Sequence, residues 1–177
     1  MRFGQGWLGL VLFVVMRPVL GALLLCFGTY STAQSIVPGA QLPSWAEQMW
    51  LTLSHSSNLQ LSTRLNPCLW RGDFNGDGRA DLALLVTQMG SKKEGIAFLL
   101  QGSKPLVVGA GTVFGNGGDD FSWMDLCYVE DRGPKHGNYK GRSVSLQSDG
   151  LVVAKESSAS ALIYLLKGKL QWHQYGD

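Results

Sequence analysis

The chain reads as an α+β domain, with an N-terminal helix packed on a mostly antiparallel β-sheet. Three observations predict this. One helical pattern follows Ser44, the apolar runs from Pro67 onward are short and separated by glycine-bearing connections, and neighbouring runs are joined by tight turns that suit hairpins. A length of 177 residues is enough for one domain with a real hydrophobic core.

The first 33 residues carry no acidic side chain and hold two apolar runs, Trp7 to Val15 and Val19 to Phe27, split by Arg17-Pro18. Each is shorter than the roughly 20 apolar residues of a membrane span. Met16-Arg17-Pro18, the second run and Ser31-Thr32-Ala33 follow the plan of a signal peptide: basic start, apolar core, small-residue cleavage site. Residues 1–33 are therefore expected to be a leader with Met16 as its candidate start. The chain from Gln34 to Asp177 is expected to be periplasmic or secreted, without a membrane span. Lipid attachment at Cys26 is an alternative, although Leu25 is larger than the residue such sites place before the cysteine. An uncleaved anchor is another.

Arg2 and Arg17 leave with the leader, so 15 basic residues become 13, against 13 acidic ones. A balanced domain lacks the clustered basic surface of a nucleic-acid binder. Lys92-Lys93 and the stretch Lys135 to Arg142 read as solvated loops.

Within the domain, Gln34 to Leu42 is an extended lead-in. Ser44-Trp45-Ala46-Glu47 offers a capping box, the hydroxyl taking a free amide while Glu47 reaches back. Trp45, Met49 and Leu53 follow at four-residue steps with Trp50 beside them, which predicts a helix to about Ser54. Leu59 to Leu65 is ambiguous. Strands are expected near Cys68–Arg71, Asp81–Gln88, Gly95–Gln101, Pro105–Val108, Trp123–Val129, Arg142–Gln147, Leu151–Glu156, Ala161–Leu166 and Leu170–Gln174. Ser148-Asp149-Gly150 reads as a hairpin turn between Val144–Leu146 and Leu151–Val153, because Asp-Gly favours the primed turns that match strand twist. Leu165 to Leu170 reads as a second hairpin, and Gly133 to Gly141 as a polar loop.

The most informative stretch is Asp73-Phe74-Asn75-Gly76-Asp77-Gly78-Arg79-Ala80-Asp81. Side-chain oxygens recur at its first, third, fifth and ninth positions. Ca2+ takes about six to eight oxygens at roughly 2.3–2.6 Å from a tightly curled loop. Asp73, Asn75, Asp77 and Asp81 can supply side-chain oxygens, Arg79 its carbonyl, and Gly76 and Gly78 the sharp turns. A metal-free turn built from the same residues is the ordinary alternative. The loop is not an EF-hand, since its twelfth position is Leu84 rather than a bidentate glutamate and a strand follows instead of a helix.

The segment Gly72 to Ala83 closely resembles the calcium-binding core of FG-GAP/VCBS-type repeats. That resemblance implies Asp73, Asn75, Asp77 and Asp81 as side-chain ligands, Arg79 as a carbonyl ligand, and a loop joining two strands. One copy does not make a propeller, which closes at least about four blades around an axis. More loosely, the layout is similar to small bacterial exported proteins that carry a single such repeat, a similarity that implies no activity.

Cys68 and Cys127 are an even pair in an expected export context, and so are disulfide candidates, with two buried thiols as the alternative. A search for catalytic groups finds little. His55, His136 and His173 lack metal-ligand spacing. Asp119 and Asp120 lie beside Phe121 and Trp123 in a glycine-bearing loop, yet adjacent residues of an extended chain face opposite ways. The sequence thus predicts an exported, calcium-stabilised, non-catalytic interaction domain whose partner is an envelope protein or a glycan. A hydrolase of envelope polymers using Asp119, Asp120 or Glu130 is the alternative.

Overall fold

The structure, a computed structural model, describes residues 41–136 and 143–176. The expected leader, Cys26 and residues 137–142 lie outside it. Helix α1 spans Ser44–Ser57. The expected capping box is corrected: Ser44 is already helical and makes no side-chain cap. The Pro43 carbonyl instead accepts from the Ala46 and Glu47 amides at 2.9 and 3.0 Å. Proline suits this position because it has no amide to leave unmatched and its backbone is held extended. The helix runs past Ser54 to Ser57 and is stopped by Asn58, whose φ of 51° is left-handed and whose N–H donates to the Ser54 carbonyl. Ala46, Trp50 and Leu53 form the buried stripe, while Trp45 and Met49 pack at its flank.

Two antiparallel sheets follow. The first contains β1 (Leu59–Leu61), β2 (Leu69–Gly72), β3 (Asp81–Gln88), β4 (Glu94–Leu99) and β5 (Leu106–Gly109), with β3 and β4 at its centre. Strands β1 and β2 share one edge of β3, Leu61 opposite Val86 and Leu69 opposite Leu84. The chain between them bulges away but stays tethered, Ser62 donating its amide to the Leu85 carbonyl and Leu85 to the Cys68 carbonyl at 2.9 and 3.0 Å.

The second sheet runs β11 (Lys169–Gly176), β10 (Ser160–Leu166), β9 (Gly150–Ala154) and β6 (Leu126–Glu130). The expected β10–β11 hairpin is present, with Leu166 opposite Lys169 and Lys167 and Gly168 both at positive φ. The hairpin expected at Ser148–Gly150 is not formed. Strand β8 (Ser143–Leu146) pairs with β7 (Gly133–His136) as a separate ribbon, and β9 pairs with β6 and β10. The segment read as a polar loop thus begins with a strand.

The side-chain alternation of each strand assigns the layers. Ala83, Leu85, Ile96 and Phe98 of the first sheet pack with Cys127, Leu151, Val153 and Ile163 of the second. On the opposite face of the first sheet, Leu82, Leu84, Val86, Ala97 and Leu99 pack against the α1 stripe. On the opposite face of the second, Val152 and Leu162 meet Leu146 and Val144 of the ribbon. Among the described residues the order is helix, sheet, sheet, ribbon: an α+β arrangement with no closed barrel or propeller. Among the described residues no helix is long and apolar enough to cross a membrane.

Helix docking depends on Trp50, which is 4% exposed. Trp50→Ala is expected to cost about 3–5 kcal/mol by urea denaturation, against near zero for Thr52→Ala on the exposed side.

Candidate metal centre

The Asp73–Asp81 loop connects β2 to β3. Its second residue, Phe74, anchors it in the core at 2% exposure, edge-on to Phe98 with ring centres 5.3 Å apart. With Phe74 turned inward, the polar odd positions are turned back onto the loop backbone. The Asp73 carboxylate accepts the Gly76 and Gly78 amides at 2.8 and 3.1 Å, Asn75 Oδ1 the Asp77 amide at 3.0 Å, and Asp77 Oδ1 the Arg79 amide at 2.9 Å. Such side-chain to backbone bonds favour Asp and Asn here. Gly76 and Gly78 have φ of 77° and 81°, and a Cβ on Gly76 would also come within 3.3 Å of the Ser148 side chain.

Asp81 closes the loop. It is fully buried, and its oxygens accept the Asn75 amide at 3.1 Å and the Gln101 amide at 2.7 Å. Burial pushes its pKa above the ordinary aspartate value despite these amides. Asp77, at the surface, is held below that value chiefly by the Arg79 side chain, which donates to its Oδ2 at 2.7 Å. Arg132 donates to Asp73 Oδ2 at 2.9 Å.

The donor set suits a hard cation in kind: carboxylates, an amide oxygen and a carbonyl on a curled loop. In this structure guanidinium groups take up the Asp73 and Asp77 charges. Among the described residues no three acidic, histidine or cysteine side chains converge on a common metal position. Asn75 and Asp77 lie side by side, Asn75 Nδ2 donating to Asp77 Oδ2 at 3.1 Å, while Asp73 turns to the Gly76 and Gly78 amides and Asp81 is buried. Arg79 engages through its side chain as well as its backbone.

The loop also grips the second sheet. The Asp73 amide donates to Asp149 Oδ2 at 2.8 Å, the Asp149 amide to the Asp73 carbonyl at 2.9 Å, and Ser148 Oγ to the Phe74 carbonyl at 2.9 Å. Ser148-Asp149 therefore docks on the loop instead of turning a hairpin. Arg132, Ser148 and Asp149 were not expected at this corner. They lie 59 to 76 residues from their partners, and no local pattern marks such distant pairings. Asp149-Gly150 carries a turn signal, which the bond to Asp73 overrides.

The alternative acids are each engaged separately. Asp119 pairs with Lys93, and Glu130 accepts from Lys135 at 2.7 Å. Asp120 accepts the Glu94 and Ser122 amides at 2.9 and 3.0 Å and the Ser122 hydroxyl at 2.9 Å. Partial burial raises the Asp120 pKa, but these donors outweigh it and leave the group below its ordinary value. Nearby, Glu94 accepts from Ser62 Oγ at 2.8 Å and Arg64 Nε at 2.7 Å, and Arg64 Nη1 donates to the Met124 carbonyl at 2.8 Å, so a partly buried network pins the loop ahead of β6 to β4.

Among the histidines, His55 lies in the last turn of α1, His136 ends β7, and buried His173 stands edge-on to Tyr175. The expected Cys68–Cys127 disulfide is not formed: both are free thiols in the central core layer, and burial pushes the Cys127 thiol far above its usual range. Asp120→Ala is expected to cost about 1–3 kcal/mol near neutral pH. Because the folded-state pKa is depressed, that contribution is present above the ordinary aspartate value and is lost as pH falls through the folded value. The gap between wild type and variant in denaturant melts should narrow correspondingly in acid. Comparison of the chain with protein-family models, with curated proteins and with solved structures gives no match.

Proposed function

We propose that this chain is an exported, non-catalytic interaction domain of the cell envelope whose two sheets are joined at a calcium-responsive corner. The observation that carries the reading is the reciprocal pair of hydrogen bonds between Asp73 and Asp149, 2.8 and 2.9 Å long, which makes the loop the joint between β2–β3 and the entry to β9. An ion held by Asp73, Asn75, Asp77 and the Arg79 carbonyl would supply positive charge at that joint, in competition with the Arg79 and Arg132 side chains. Asp81 would contribute through its hold on the Asn75 amide, or directly on reorientation. Any ligand that prefers the folded chain raises its stability by mass action. The leader pattern in the sequence supports export, and the balanced charge of the domain argues for a protein or glycan partner rather than a nucleic acid.

Thermal melting in excess Ca2+ and in chelator tests the corner. Calcium is expected to raise the midpoint by several degrees, and Asp77→Ala to abolish the rise. Arg79→Gln removes a competitor for Asp77 and is expected to enlarge the calcium response. Its own effect on stability in chelator should be small, because the pair is exposed and screened by solvent. Identical curves with and without calcium, together with no heat of binding by calorimetry, would end the calcium reading and leave a corner closed by arginine alone.

A further inference from the structure

A second recess lies at the other end of the sandwich. There the short 3-10 turn Gly115–Gly117 is laid against β11. The cleft is about 300 Å3 and is lined by Trp123 and Trp172, the amides of Asn116 and Gln174, Ser160 and Lys155. None of these residues belongs to the metal-type loop.

Both indoles are fixed in place. Trp123 Nε1 donates to the Gly117 carbonyl at 3.0 Å, and Trp172 Nε1 to Gln174 Oε1 at 2.9 Å. Phe114 and Phe121 back Trp172 with ring centres 6.0 and 6.1 Å away, and Phe121 stands 6.0 Å from Trp123. The turn is pressed so closely onto Trp172 that a Cβ on Gly115 would lie 2.3 Å from its Cγ, and one on Gly117 2.7 Å from its Cη2. Gly115 moreover has φ of 55°. Only glycine lets the backbone stack on this ring. Gln174 is held too, its Nε2 donating to the Gly176 carbonyl at 2.7 Å, while the exposed Asn116 reaches Gln174 Oε1 only at 3.4 Å.

Two half-buried, immobilised indoles beside amide, hydroxyl and ammonium groups match one ligand chemistry in particular. A pyranose ring presents an apolar C–H face to an aromatic wall and a rim of hydroxyls that both donate and accept hydrogen bonds. Pockets of this kind combine an apolar lining with a few placed polar groups, and side chains already locked lose little entropy on binding. We propose that this cleft binds a neutral pyranose unit of an oligosaccharide, with Trp123 as the stacking surface, Trp172 completing the apolar lining, and Asn116, Ser160 and Lys155 contacting hydroxyls. This rests on the interaction-domain reading above and assigns it a ligand class and a site.

The test is a tryptophan-fluorescence and calorimetric titration of the full-length mature chain with three tetrasaccharides. These are β-linked N-acetylglucosamine, β-linked glucose and α-linked glucose, each taken to about 10 mM, where millimolar affinity registers. At least one is expected to shift the tryptophan emission and release heat. Trp123→Ala and Asn116→Ala are each expected to weaken it by about tenfold, roughly 1.4 kcal/mol. Tyr128→Ala, on a different strand, should leave binding unchanged, and melting curves confirm that the variants fold. No binding by any of the three, or binding that survives in both cleft variants, overturns the proposal. Titrations in calcium and in chelator keep the questions apart: a calcium-dependent melting shift without sugar binding removes the cleft assignment and leaves the corner standing.

Discussion

Asp81 enters β3 with its carboxylate shut away from water, a placement that costs free energy unless donors meet its oxygens. They are met by backbone amides from two directions, Asn75 inside the loop and Gln101 beyond the end of β4. The carboxylate thereby fixes where the loop ends, where β3 begins and how the far end of β4 sits beside it. Since β3 is buried on both faces over Leu82–Val86, its position sets both the layer shared with the second sheet and the layer under the helix. The corner that grips Asp149 is an extension of that constraint.

A buried polar group of this kind specifies as much as it stabilises. Hydrogen bonds contribute about 0.5–1.5 kcal/mol each when made, and more is lost when a partner is removed. Glu94, with Ser62 and with Arg64, which also reaches the Met124 carbonyl, does the same for the chain ahead of β6. The domain thus places a polar lock at each end of its central strands, and between them the two sheets meet through apolar contact and a buried bond, from Trp70 Nε1 to the Cys127 carbonyl at 2.9 Å.

Much of this arrangement was legible in the sequence. The unbroken apolar run Leu82–Val86 announces a strand buried on both sides, and its bounds, Asp81–Gln88, are those observed. The helix was legible from its tryptophans. Its cap was not, because Ser44 and Glu47 carry the capping-box pattern while the helix starts one residue earlier, from Pro43. The β8–β9 hairpin failed because Asp-Gly reports a local preference, and Asp149 found a stronger partner in Asp73, 76 residues away. For the candidate site, the loop and its turn-forming glycines were readable from spacing alone. The arginines that balance Asp73 and Asp77 were not, since Arg132 comes from a remote segment and the position of Arg79 in the loop points only to its carbonyl.

The layering of helix, sheet, sheet and ribbon has a consequence for how the molecule opens. Amides of β3 and β4 are covered on both sides, so their hydrogens should exchange with solvent only through the largest openings, whereas the β7–β8 ribbon is a two-stranded outer cover. Fluctuations should therefore peel the molecule from its outside layers inward. A partner that holds an outer layer down would slow exchange at sites it never touches.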